Sequence, residues 1–331
     1  MKQRIAYFDI AKGIGMLCII AGHMGVAAIN DVVFTFHVPL FFIISGFFIS
    51  FSEDFVVYAR KRFKDLIYPY IYCSIGLLLI RIPINVIKGT QERIVPELMS
   101  IFLQALYGSG GNENITLFGI KQIGAIWFLW ALFWALLIVK SLVNKKHGAY
   151  LIFLIAAISY ISSKFVWLPL DLQAGGVASL FVYVGALIKK NRSNLFDESN
   201  DALFLSGILT LIISSTMGFQ LYINTNYYCK GIVSIICALL ISCFVIYISR
   251  FIEKFSLFSE ILKFYGVNSI YILCFHLLEL NNINYGKYVN NISLPYELQI
   301  LLIFAFKIFF VTVCTVVYLK FSDYIKCHFT K

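Results

Sequence analysis

Long apolar runs recur along almost the whole chain, and they leave few folds open to it. Each run approaches the roughly 20 residues that a helix needs to cross a bilayer. The ten runs cover approximately 7–28, 32–51, 66–87, 122–143, 148–165, 172–189, 202–222, 230–249, 265–281 and 299–319. Because 60% of all side chains are hydrophobic and 13% are charged, a soluble core does not account for the composition. The sequence predicts one all-α domain over residues 1–331, a polytopic transmembrane bundle of about ten helices.

The positions of lysine and arginine predict the orientation of this bundle. If the N-terminus is cytoplasmic, basic residues in cytoplasmic loops outnumber those outside by roughly three to one, as the positive-inside rule requires. We therefore expect an N-in, C-in topology. The basic residues are dispersed between the apolar runs and form no continuous basic face. The net charge of +10 therefore indicates contact with membrane lipids and no nucleic-acid partner.

Ionisable residues in the first apolar segment point to a functional site. Lys12 and His23 are eleven residues apart, which places them on one helical face about 16 Å apart along the axis. Asp9 is one turn from Lys12, close enough for an ion pair. Such residues are costly inside a bilayer and therefore indicate function. With the N-terminus inside, Asp9 and Lys12 face the cytoplasm and His23 lies toward the outer surface.

A second histidine, His37, lies in the next apolar segment beside Pro39. A turn expected near residues 29–31 would make the two segments an antiparallel pair and place His23 and His37 at similar depth. The two imidazoles would then share a site, although each could instead be a buried hydrogen-bonding group. Together with Asp9, they are the candidate catalytic residues.

Cysteines and loops give weaker signals. The eight cysteines form no C-x-x-C pair and no cluster with histidine, and most lie in apolar runs, where Cys behaves as a small hydrophobe. We expect no metal site. The longest outer loop, 88–121, contains a glycine-rich stretch at 108–114 and is expected to be flexible, either functional or a plain connection. The outer loop near 282–297 is rich in Asn and Tyr, which suit sugar hydroxyls or any wet interface.

Several short motifs, in a consistent order along most of the chain, resemble the acyltransferase-3 family of integral membrane acyltransferases. The opening resembles its signature of a basic residue, ten residues and a histidine. The matching elements in the first part of the chain are Asp9-Ile-Ala-Lys12 with Gly22-His23, Phe42-Ile-Ile-Ser45-Gly46, and Arg60-Lys-Arg62. Those further on are Trp127-Phe-Leu129, Leu168-Pro-Leu-Asp171, and Tyr265-Gly266-Val-Asn268-Ser269 with His276. The segment ending at Asp171 resembles the fucose 4-O-acetylase-like branch.

One departure from the family pattern concerns the donor end of the site. The basic residue before the histidine is Lys12, where many members have arginine. A lysine binds phosphate as a point charge and has no bidentate fork.

The resemblance implies transfer of an acyl group, most often acetyl from acetyl-CoA, to a hydroxyl of a cell-envelope glycan or lipid-linked sugar. The enzyme would reside in the bacterial cytoplasmic membrane. His23 would be the general base on the acceptor hydroxyl or would carry the acyl group itself. The donor phosphates and thioester would meet Lys12, Arg60, Arg62 and Ser45. The alternative for Ser45, which precedes Gly46, is close helix packing or a donated hydrogen bond. The acceptor side would be lined by Arg81, Trp127, Asp171 and His276. The alternative for Arg81, Asp171 and His276 is a polar contact within the bundle.

A secondary transporter or flippase for a lipid-linked or small sugar is the alternative function. It would use the same Asp, Lys and His residues as a proton relay. The sequence has no evident internal repeat, which tells against the repeated halves common in transporters. Transport would respond to ion gradients and need no coenzyme A, whereas acyl transfer would need it.

Overall fold

The computed structural model describes residues 5–111, 113–191, 193–196, 200–289 and 293–329. Within these ranges the chain is almost entirely helical, and its only sheet is a two-stranded hairpin. The first helices are α1 (Ala6–Gly22), α2 (Ala27–Val33), α3 (His37–Phe47), α4 (Phe55–Ile87), α5 (Ile94–Tyr107), α6 (Trp127–Leu142) and α7 (Gly148–Ser162). The remaining elements are α8 (Leu172–Asn191), α9 (Asp201–Met217), β1 (Leu221–Tyr222), β2 (Tyr227–Tyr228), α10 (Ile232–Ile252), α11 (Ser256–Val267), α12 (Ser269–Asn282), α13 (Tyr285–Val289) and α14 (Tyr296–Phe329).

Each of the ten predicted apolar segments coincides with at least one helix. Five helical segments of the described chain are long and apolar enough to cross a membrane, or six if the bent pair α11 and α12 forms one span. Three further apolar helices, α6, α7 and α9, are shorter. The structure thus agrees with an all-α, multi-pass membrane protein, while ten crossings and the N-in, C-in topology remain predictions.

The second apolar segment is broken where an uninterrupted helix was expected. The predicted turn near residues 29–31 is wrong, because these residues lie inside α2. The chain leaves its helical path instead at Phe36, whose φ is −140°, and α3 restarts one residue later. Pro39 is then the third residue of α3, where its missing N–H costs nothing. Leu221 of β1 donates its backbone N–H to the Phe34 carbonyl at the break.

Helix α1 lies inside the bundle and contacts α3, α10, α11 and α12. Its closest neighbour is α11, and two glycines make that approach possible. A Cβ added to Gly266 would lie 1.7 Å from the Asp9 carbonyl oxygen, and one added to Gly13 would lie 2.1 Å from the Leu262 carbonyl oxygen. Small residues at such a crossing let two backbones pack directly in a membrane protein.

A sharp bend separates α11 from α12. The two helices meet at Asn268 with an angle of 74°, and the Asn268 side chain donates to the Phe264 carbonyl oxygen at 2.9 Å. Because of this bend, α11 packs along the first half of α1, whereas α12 reaches the end of α1 that carries His23.

The loop 88–121, which the sequence predicts to lie outside, is more ordered than the sequence suggested. Residues 94–107 form α5, and Gly108 ends it in the left-handed conformation with φ of +64°. The residues that follow, Ser109 to Gly111, are buried. Glycine composition suggested flexibility, but here the glycines permit close packing: a Cβ on Gly110 would lie 2.4 Å from the Trp127 ring. Asn112, in the same stretch, lies outside the described residues.

Candidate active site

A cavity of about 620 Å³ lies between α1, α3, α4 and α6, within the range of small-molecule sites. The start of α12 and the β1–β2 hairpin complete its wall. Most of the lining is apolar, including Met16, Ile19, Phe41, Ile44 and Leu132. Charged and imidazole side chains are restricted to a few positions, which divide the cavity into a cationic part and a histidine part.

The cationic part carries Lys12 from α1 with Arg62 and Lys64 from α4, and Asp65 of α4 also lines it. Lys12 Nζ lies 2.6 Å from Asp9 Oδ1, and Arg62 Nη2 lies 3.0 Å from Asp65 Oδ2. The Nε of Arg62 is buried and has no hydrogen-bond partner among the described residues. This part of the cavity therefore retains unsatisfied donor capacity that an anionic ligand can use.

The histidine part carries His23 at the end of α1 and His37 at the start of α3. Each Nδ1 contacts a carbonyl oxygen one turn earlier, at 2.8 Å from Ile19 for His23 and at 2.5 Å from Val33 for His37. Because a carbonyl only accepts, each Nδ1 carries the proton, and in the neutral ring Nε2 keeps its lone pair. Both imidazoles can then act as a base or nucleophile through Nε2.

His276 lies behind His23 and does not line the cavity. Its side chain is fully buried, its Nε2 is 3.4 Å from His23 Nδ1, and the two rings meet edge to face with centroids 5.1 Å apart. The sequence placed His276 on the acceptor side. In the structure its contact is with the other histidine.

The remaining predicted donor and catalytic residues divide between the cavity and its surroundings. Ser45 lies on the wall, on α3 about two turns after His37. Asp9 does not line the cavity and is 8% exposed, so its place is that of a counter-ion to Lys12. Arg60 is exposed and also lies off the cavity.

Of the residues predicted on the acceptor side, Trp127 lines the cavity and Arg81 does not. Arg81 Nε lies 3.9 Å from Glu97 Oε2 on α5, and its Nη2 donates to the Asn281 carbonyl oxygen at 3.2 Å. These contacts connect α4, α5 and the end of α12, away from the cavity.

Asp171 holds a loop that leads to the cavity. It is fully buried, and its two carboxylate oxygens accept from the Gly110 backbone N–H at 3.1 and 3.0 Å. Trp167 Nε1 donates to Asp171 Oδ1 at 2.7 Å. Asn224, which does line the cavity, donates to the Gly110 carbonyl oxygen at 3.0 Å. Asp171 therefore supports the wall from behind.

Two elements near the histidines were absent from the predicted site. The β1–β2 hairpin brings Tyr222 and Asn224 to the cavity, and the Tyr222 ring lies 5.1 Å from that of Phe34. Glu279 and Lys307 form a buried ion pair next to His276. The second feature had a sequence signal, since both charges lie within predicted apolar segments. The hairpin had none.

The described part of the chain contains no group of three or more His, Cys, Asp or Glu side chains able to hold a metal ion. The eight cysteines are free. The polar groups that line the cavity include the two imidazoles, the cations, the Asp65 carboxylate and hydroxyl or amide side chains such as Ser45 and Asn224.

Comparison with known proteins gives one match. The acyltransferase-3 family model, described as an acyltransferase domain, matches residues 5–320. No curated protein and no solved structure matches the chain. The matched region includes the whole cavity and nearly all of the chain, and it confirms the family resemblance. The fucose 4-O-acetylase-like branch stays a prediction.

Proposed function

We propose, since the chain belongs to the acyltransferase-3 family, that it transfers an acyl group from cytoplasmic acyl-CoA to a hydroxyl of a cell-envelope glycan or glycolipid. Membership in this family favours an acyltransferase over the alternative function, a secondary transporter or flippase. Acetyl-CoA as the donor, the glycan acceptor and a location in the bacterial cytoplasmic membrane belong to the proposal.

The observation that carries the proposal is one cavity with cations at one part, histidines at another and apolar side chains between. Coenzyme A has the same division, with phosphates at one end, a pantetheine arm and a terminal thioester. Its phosphates would bind Lys12, Arg62 and Lys64, because each supplies a charge-assisted donor. The helical rise from Lys12 to His23 is about 16 Å, comparable to the pantetheine arm.

The acceptor would enter beside the β1–β2 hairpin. Tyr222 and Asn224 line the cavity there together with Phe34. An aromatic ring with a polar tip and a side-chain amide suit a sugar, which has apolar faces and hydroxyl edges.

His23 Nε2 would take the proton of the acceptor hydroxyl as its oxygen attacks the thioester carbonyl carbon. The C–O bond forms, the C–S bond breaks, and His23 returns the proton to the departing sulfur. In the covalent route, His23 Nε2 attacks the thioester carbonyl carbon, the C–S bond breaks and coenzyme A leaves as its thiolate. The acceptor oxygen then attacks the acyl carbon, the N–C bond breaks, and the acceptor proton passes to the thiolate. His37 would orient the acceptor or the carbonyl in either route.

The test is transfer of label from radiolabelled acetyl-CoA to glycan or glycolipid in inverted membrane vesicles from source cells that carry each variant. We expect His23→Ala to lower transfer by roughly 10²–10⁴-fold, the usual effect of a positioned acid–base group. Acetyl-CoA binding to the purified variant should be retained. His328→Ala is the matched control, because His328 is exposed near the end of α14.

If His23→Ala transferred label at the wild-type rate, the proposed role of His23 would be contradicted. Sugar movement that needs an ion gradient but no coenzyme A would contradict acyl transfer itself and favour the transporter.

A further inference from the structure

An ion pair lies buried behind the histidine part of the cavity. Glu279 of α12 is 0% exposed and Lys307 of α14 is 5% exposed, with Lys307 Nζ 2.5 Å from Glu279 Oε1. The Lys307 ammonium also lies 5.1 Å from the centroid of the Tyr285 ring. Desolvating two charges often costs as much as their attraction returns. Stability alone is therefore a weak reason for the pair to be there.

His276 connects this pair to His23. Glu279 Oε1 lies 3.4 Å from His276 Nδ1, and His276 Nε2 lies 3.4 Å from His23 Nδ1. Because an ionised carboxylate only accepts hydrogen bonds, it favours the tautomer of His276 with the proton on Nδ1. The lone pair of His276 Nε2 then faces the Nδ1–H of His23. Glu279 is near enough to His276 for an electrostatic contact, but His276 Nδ1 is buried without a hydrogen-bond partner among the described residues. Catalytic hydrogen bonds are often long or poorly aligned before the ligand binds.

We propose that Glu279 and Lys307 are positioning residues for acyl transfer that act on His23 through His276; this rests on the proposed function. When His23 Nε2 takes the acceptor proton, the ring becomes an imidazolium whose Nδ1–H donates to Ile19 and His276. The lone pair of His276 Nε2 stabilises that cation. Glu279 favours the tautomer of His276 that presents this lone pair, and Lys307 holds the carboxylate in place. The proton then passes from His23 Nε2 to the sulfur of coenzyme A.

The competing explanation is structural, with the pair merely fastening α12 to α14. Removing one partner does not separate the two, because a lone buried charge destabilises the fold whatever its role. The double variant Glu279→Gln/Lys307→Met does separate them. It removes both charges at nearly constant volume, so a structural role predicts that stability and rate recover together.

The experiment measures label transfer from radiolabelled acetyl-CoA in inverted vesicles of the source cell, per amount of protein, over a range of acetyl-CoA concentrations. For the double variant we expect an unfolding midpoint in detergent and a KM for acetyl-CoA close to those of wild type. We expect kcat to fall by about 10–100-fold, as when an outer group that orients a histidine is lost. The control, Glu260→Gln/Lys263→Met, removes an exposed pair on α11 and should change none of the three.

A stable double variant with the wild-type kcat overturns the positioning role and leaves the proposed function standing. Should the double variant not fold, His276→Gln keeps the ion pair and breaks its link to His23. Lower kcat at unchanged KM then supports the inference, and unchanged kcat overturns it. Wild-type vesicles that transfer no label from acetyl-CoA overturn the proposed function and this inference together.

Discussion

Replacing Lys12 by methionine tests the cationic part of the cavity directly. Its ammonium lines the cavity, and its side chain is 25% exposed, so the local dielectric lies between that of water and that of the interior. Two unit charges about 4 Å apart interact by roughly 1 kcal/mol in water and roughly 4 kcal/mol at an effective dielectric constant near 20. For Lys12 and one phosphate we expect about 2 kcal/mol, or roughly 30-fold in Kd.

Asp9 provides a control of opposite sign. Its carboxylate lies 2.6 Å from Lys12 Nζ and competes with a phosphate for the same ammonium. Asp9→Asn should therefore tighten acetyl-CoA binding by a few-fold, about 1 kcal/mol. The catalytic role predicted for Asp9 from sequence would instead appear as a loss of transfer with little change in binding.

The assay is calorimetric titration of the purified protein with acetyl-CoA, with coenzyme A and succinyl-CoA as competitors. Raising the salt concentration should weaken wild-type binding more than that of Lys12→Met, because fewer charge contacts remain to be screened. Equal Kd values for wild type and Lys12→Met would refute the placement of the phosphates at Lys12. Absence of binding to the wild-type protein would refute the donor.

Further predictions concern the scaffold and the cavity wall. Gly266→Ala should lower the unfolding midpoint in detergent and cost about 1–3 kcal/mol, because the added Cβ would lie 1.7 Å from the Asp9 carbonyl oxygen. Gly76→Ala is the control and should leave the midpoint unchanged, since the nearest atom to its added Cβ is 3.7 Å away. Asp171→Ala should cost about 2–4 kcal/mol by leaving the N–H donors of Gly110 and Trp167 unpaired, measured in the same way; an unchanged midpoint would contradict this. The Kd of Asp171→Ala for acetyl-CoA should stay at the wild-type value, because Asp171 does not line the cavity.

Much of the site on α1 followed from helical geometry alone. The spacing of Lys12 and His23 placed both on one face, and both do line the same cavity. His37 reaches that cavity too, although the turn expected near residues 29–31 is wrong. His37 still reaches the cavity because the helix breaks before it and α3 begins at His37 itself. We attribute this break to Pro39 and to the hairpin contact at Phe34.

Residues distant in sequence were harder to place. His276 lies 253 positions from His23, and Asp171 lies 61 positions from Gly110. Neither contact leaves a pattern in the local sequence that would predict it. The sequence therefore assigned Asp171 to the acceptor side. In the structure its carboxylate accepts hydrogen bonds from Gly110 and Trp167 behind the cavity wall.

The sequence by itself determined the class of the molecule, the positions of its apolar helices and the shared face of Lys12 and His23. Hydropathy and helical periodicity are properties of a single segment, set by the bilayer and by backbone hydrogen bonding. Only the tertiary structure decided that His276 and Glu279 stand behind His23. Their positions depend on the 74° bend between α11 and α12 and on the glycine contacts of α1 with α11, because which helix faces meet is settled by the fit of side chains from distant segments.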